Sequence, residues 1–168
     1  RQRDAGPPGR NAARARWHVF NVVQEWATDN GRELVEAEQY AQRAVQIDPR
    51  QPLALYSQGL ARMTRSEDLA GARALFEAAV AIDPQDAQTW ALLCGALAYG
   101  GEPQQAQRAA ARALALSPLD PQRFLLEAWA TLADLAARDH EAAVSHARAS
   151  VRQHLLHSPS HLLLVGAG

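Results

Sequence analysis

Cysteine is almost missing from this chain: a single thiol, Cys94, excludes an internal disulfide and a cysteine-built zinc site. Lysine is missing altogether, since all 17 basic residues are arginine. Against 18 acidic residues the formal net charge is −1, so there is no whole-chain attraction to nucleic acid or an anionic membrane surface. Aromatic residues make up only 6% of a chain that is 48% hydrophobic, which leaves most of the packing to Ala and Leu. No apolar run approaches the roughly 18 to 20 residues that a membrane-crossing helix needs, and no signal-peptide pattern is present. These absences point to a cytoplasmic protein. The arginine-only basic complement points to the GC-rich genome of a bacterial source. The chain opens on Arg1 rather than Met and is expected to be a piece of something longer.

What is present is helical periodicity. From residue 85 to 118 the apolar positions Trp90, Leu93, Cys94 and Leu97 fall at i, i+3, i+4 and i+7, the spacing that gives a helix one buried stripe. Gly100-Gly101 ends that helix with a turn, and Glu102-Pro103 opens the next. Ala106, Ala109, Ala110 and Ala113 give the second helix a small-residue face that allows close approach, and Ser117-Pro118 ends it.

The unit recurs. Pro118 lies 34 residues after Pro84, which lies 35 after Pro49. Ala113, Ala79 and Ala44 stay in register, as do Ala106, Ala72 and Ala37. The helix-ending phrases Ile47-Asp48-Pro49, Ile82-Asp83-Pro84 and Leu116-Ser117-Pro118 coincide. A helix–turn–helix period of about 34 residues is the signature of the tetratricopeptide repeat. Trp90-x-x-Leu93-Cys94-x-x-Leu97 resembles that family's W-x-x-L-G-x-x-Y, with Cys for Gly and Leu for Tyr. Ala72-x-x-x-Phe76 followed by Pro84 matches its second half. The resemblance implies an all-α, TPR-type α-solenoid of about four repeats.

Along the chain, residues 1–10 (RQRDAGPPGR) read as a linker or disordered lead-in before a repeat domain at 11–168. With Arg14 and Arg16 the lead-in makes a small basic patch, read as solvated rather than nucleic-acid binding. The repeats are expected at 11–49, 52–84, 87–118 and 121–155. Asn11 is the expected N-cap of a first helix reaching residue 28, with Trp17, Phe20, Val23 and Ala27 on its stripe and Val19, Val22 and Trp26 widening it. Asn30-Gly31 is the expected break, and Glu33 to Ile47 the second helix. In the second repeat Gly59 takes the small-residue slot, and its one extra residue is expected in the turn Arg65-Ser66-Glu67-Asp68. The fourth repeat carries an insertion of about three residues near Ala136-Ala137-Arg138, and Leu155 replaces its closing proline. Residues 159–168 form a capping helix or the first helix of a fifth repeat.

No Gly-rich phosphate loop, G-x-S-x-G elbow or H-E-x-x-H pair occurs, so neither catalysis nor a cofactor is expected. The acidic residues are read as a solvated helix exterior. His154, His157 and His161 have ligand-like spacing, but Ser158-Pro159 should interrupt the helix between them, so surface or capping roles are expected rather than metal binding. Cys94 is read as a packed, inert thiol.

Function then falls to the inner wall that first helices of stacked repeats line. The resemblance places Tyr56, Leu60, Met63, Gln88, Ala91, Tyr99, Gln122, Leu125, Trp129 and Leu132 there, with Arg62 and Arg123 near the rim. The same aromatics could instead be inter-repeat core. Some family members grip a peptide carboxylate with Lys and Asn, a chemistry that a lysine-free chain disfavours. An aromatic wall suits an apolar peptide, an amphipathic helix or a small apolar ligand, supplied by a protein partner, another domain of the same chain or a second copy. The stretches ALALSPLDPQRFLLEAWATLADLAARDHEAAVSHA and ARASVRQHLLHSPSHLLLVGAG are similar to the C-terminal repeat regions of bacterial winged-helix transcriptional regulators and class III adenylate cyclases. That similarity implies a regulatory module without direct DNA contact of its own. A free-standing scaffold or chaperone of a secretion or pilus system is the alternative.

Overall fold

Alternation of turn residues with Ala- and Leu-rich stripes produces helices throughout the computed structural model, which describes residues 8–23, 28–66, 68–154 and 158–167. The chain divides into two compact units, Arg1–Pro84 and Gln85–Gly168.

In the first unit, α1 (Pro8–Val23) pairs with α2 (Asn30–Ile47), and α3 (Pro52–Ala61) pairs with α4 (Leu69–Ile82). Helix α1 starts at Pro8, a residue well suited to a first turn, three positions before the expected cap. Asn11 is consequently a buried residue inside the helix. The stripe residues Trp26 and Ala27 lie outside the described residues, as do the side chains of Phe20 and Val23. Asn30-Gly31 is not a break but the opening of α2. Asp29 is the cap, its carboxylate accepting from the Arg32 N–H at 3.0 Å. Between the pairs, Ala12, Ala44 and Ala54 form a methyl-sized core with Leu53 and Val45 against it. His18 of α1 reaches α2, with Nδ1 2.7 Å from Glu33 Oε2 and its ring stacked on Tyr40 at 5.5 Å.

Of the turn Arg65-Ser66-Glu67-Asp68 where the extra residue is expected, Arg65 and Ser66 belong to an irregular continuation of the helix before it. Helix α3 runs on as a π-helical segment, Arg62–Ser66, and a π turn accommodates one residue more than an α turn. Gly59 earns its slot: a Cβ there would sit 2.6 Å from Phe76 Cε1, and Phe76 is fully buried.

In the second unit, α5 (Ala87–Tyr99) pairs with α6 (Pro103–Leu116) and α7 (Arg123–Ala137) with α8 (His140–Gln153), while α9 (Ser158–Ala167) packs on α8 and α7. Asp86 caps α5 and Asp139 caps α8 by accepting backbone N–H bonds at 3.1 Å each. Gly101 takes the left-handed conformation (φ 79°) that closes the α5–α6 turn. At the corresponding place after α7 stands Arg138, also left-handed at φ 61°. The insertion lengthens α7 to 15 residues against 13 for α5. Among the described residues, no helix is long and apolar enough to cross a membrane.

Candidate functional site

The residues singled out from the sequence divide by burial. Within the first unit Tyr56 and Leu60 are buried, with the Arg16 guanidinium 5.9 Å above the Tyr56 ring, and Met63 is half-buried in the π-helical segment. Within the second unit Tyr99 is 59% exposed at the end of α5, whereas Leu125, Trp129 and Leu132 of α7 are half-buried.

Trp129 serves packing as well as surface. Its six-membered ring lies over the backbone of Gly95, so close that a Cβ at Gly95 would overlap it, and it packs against the cluster of Ala87, Ala91, Ala113 and Leu126. The Cys94 thiol points at the Trp129 carbonyl from 3.3 Å. Burial first, and the nearby Asp134 carboxylate second, push that thiol up to about 12, which keeps it protonated and unreactive. Gln88 Nε2 donates to Gln122 Oε1 at 3.0 Å, tying α5 to α7 through residues one repeat apart. Arg123 is not a free rim charge. It donates to the Leu114 and Ser117 carbonyls at the end of α6 (2.8 and 3.1 Å) and to Glu127 Oε1 at 3.0 Å.

The sequence reading missed a buried polar cluster on this same helix. Glu127 and Asp134 are not solvated exterior residues; they are 4% and 6% exposed. They lie seven apart on one face of α7, turned toward α6 and α8. His146 of α8 spans them: Nδ1 is 2.6 Å from Glu127 Oε2 and Nε2 is 3.8 Å from Asp134 Oδ2. Gln107 of α6 donates to Asp134 Oδ1 at 3.0 Å, while Asp134 Oδ2 is buried without a hydrogen bond. Desolvation raises the Asp134 pKa, with Gln107 and His146 opposing it. The hydrogen bond to Glu127 is the largest influence raising that of His146, and burial opposes it. A signal was present in the sequence. Glu127 stands 34 residues after Leu93 and Thr131 34 after Leu97, so polar groups occupy two slots that the preceding repeat fills with leucine.

His154 closes α8 and its ring stacks on Phe124 at 4.5 Å, His161 stands exposed on α9, and His157 lies outside the described residues. Among the described residues no group of three or more His, Cys, Asp or Glu side chains is placed to hold a metal ion. An open cavity of about 580 Å³ runs along α8, lined by His140, Glu141, Val144, Ser145, Arg148 and Arg152 and ending at Ala167.

No family model and no curated protein sequence matches the chain. Solved structures do. The chain is similar to PilF of Pseudomonas aeruginosa (TM-score 0.73, 16% identity, covering 95% of this chain and 68% of that one). It is also similar to YrrB, a TPR protein with an unusual peptide-binding site (TM-score 0.60, 17% identity, 91% and 73% covered). A third likeness is to the Cut9–Hcn1 assembly of the APC/C (TM-score 0.69, 22% identity), where the chain spans only 29% of the matched protein. Repeated helix pairs in 34-residue register, folded like these proteins, make this an all-α chain with the TPR-type α-solenoid fold.

Proposed function

We propose that this chain is a non-catalytic interaction and regulatory module, the C-terminal partner-sensing region of a bacterial, cytoplasmic transcriptional regulator. Its repeats would be 11–49, 52–84, 87–118 and 121–155, followed by a capping helix. The observation that carries the interaction role is the partly uncovered apolar face of α7, while the regulator context rests on the sequence similarity alone. Leu125 and Leu132, seven residues apart and both half-buried, share one side of the helix with Trp129 between them. Tyr99 adds an exposed ring at the end of α5. Such a stripe fits the apolar side of a partner helix or peptide. Tyr56, Leu60 and Met63 form the counterpart in the first unit, where burial limits the first two to packing beneath a bound ligand.

A helical-peptide library tests this. Binders selected on the chain should lose at least about tenfold in affinity, roughly 1.4 kcal/mol, when Leu125→Asp and Leu132→Asp are combined. Far-UV helicity should stay unchanged. Undiminished binding by that variant overturns the α7 surface. The likeness to PilF favours a second reading, a free-standing scaffold in a pilus or secretion system. A DNA-binding output domain in the parent open reading frame supports the regulator; a pilus-gene neighbourhood without one supports the scaffold.

A further inference from the structure

The α7–α8 pair is joined chiefly by small groups. Ala143 and Ala147 are the buried methyls of α8, and Ser150 adds one hydroxyl bonded to the Phe124 carbonyl at 2.6 Å and to Ser160 of α9 at 2.6 Å. Over this thin apolar contact lies the polar cluster, whose charges can be counted. From α7 come Glu127, Asp134 and Arg123; from α8 comes His146, with Asp139 at its start acting on Asp134. From α6 the neutral Gln107 reaches Asp134, and on α9 the titratable residue is His161, which is exposed. Two buried carboxylates therefore face one guanidinium and one imidazole.

We propose that His146 is a proton-operated latch: charged, it holds α8, and α9 with it, onto α7, and when it loses its proton this segment becomes the first part of the second unit to release.

The geometry explains why one proton matters. Each ring nitrogen of His146 faces a carboxylate oxygen, at 2.6 Å and at 3.8 Å. An imidazolium has an N–H for both; a neutral imidazole has one. If Nδ1 keeps its hydrogen for Glu127, the Nε2 lone pair faces Asp134 Oδ2, which has no hydrogen bond to compensate. The two carboxylates, 6% and 8% exposed, are then left with a net negative charge that the one-third-exposed imidazole no longer offsets, a costly state for groups so little hydrated. The raised pKa of His146 agrees with this: the charged form is favoured while α8 is docked. His18 in the first unit makes a useful contrast. It too spans two carboxylates, Glu33 and Glu36, but their side chains are 26% and 35% exposed, where those of Glu127 and Asp134 are 6% and 8%.

Hydrogen–deuterium exchange on the whole 168-residue chain at pH 6 and pH 8.5 tests the latch, with rates corrected for the intrinsic pH dependence of amide exchange. Protection across His140–Gln153 and Ser158–Ala167 should fall several-fold at the higher pH, while that of α4 stays constant. His146→Gln, neutral at both values, should show the low protection at both. Asp134→Asn removes the unmatched charge while leaving the Glu127 bond, so it should lose clearly less protection at pH 8.5 than the native chain, and it decides the matter even where His146→Gln fails to fold. Equal protection of the native chain at the two pH values overturns the proposal, and so does a pH-dependent loss that is undiminished in Asp134→Asn. Because the readout is protection rather than binding, failure of the partner-binding reading leaves this result separate.

Discussion

Gly95 is the contact point of Trp129, and this pair sets how closely α5 and α7 approach. Any side chain at 95 must displace an indole that is wedged against Ala87, Ala91, Ala113 and Leu126. Overfilling of that kind costs about 1 to 3 kcal/mol, so Gly95→Ala should lower unfolding free energy by that amount in urea titration. Arg138 presents the opposite case. A left-handed backbone strains a residue with a Cβ by roughly 1 to 2 kcal/mol, part of which glycine returns through its larger unfolded-state entropy. Arg138→Gly should therefore raise stability, by up to about 1 kcal/mol in the same titration. The two positions differ in legibility. The resemblance marked the neighbouring Cys94 as the small-residue slot, and Cys94 is fully buried. That Gly95 carries the ring of the next first helix depends on how the two helices cross, which one-dimensional spacing does not encode.

Among the elements, each helix pair hides its stripe by a recurring alanine, Ala37, Ala72, Ala106 and Ala143 all being fully buried. Errors fell where side-chain chemistry overrode the pattern. Pro8 nucleates α1 ahead of Asn11, and Asp29 rather than Asn30 supplies the α2 cap. Arg65 and Ser66, expected in a turn, continue α3 as part of its π-helical segment. The buried Glu127 and Asp134 went unseen for a better reason. Carboxylates are seldom buried unless paired, and their partners, His146 and Gln107, come from helices 19 residues later and 27 earlier. Only the repeat slot of Glu127 betrayed it. Ser150 belongs to the same contact. Its hydroxyl ties α8 to the Phe124 carbonyl and to Ser160, so Ser150→Ala should leave a buried carbonyl short of a donor. The expected cost is about 1 to 3 kcal/mol, measured by thermal or urea unfolding, with the fastest new exchange in α8 and α9.

At the scale of the whole molecule, the TPR fold makes most contacts local in sequence, between a helix and its immediate successors. Stability should then be a sum of local parts rather than a property of one shared core. The glycine contacts provide a direct check. Gly59 meets Phe76 within the first unit and Gly95 meets Trp129 within the second, and the two contacts share no side chain. Independent sites add to within about 0.5 kcal/mol. The losses of Gly59→Ala and Gly95→Ala, each measured alone by urea unfolding, should thus sum to that of the double variant within this margin. A larger discrepancy would mean that strain at one glycine is relieved or worsened by the other. The local-sum picture would then give way to cooperative coupling along the repeats, and a partner gripping α7 would stabilise α3 and α4 as well as its own surroundings.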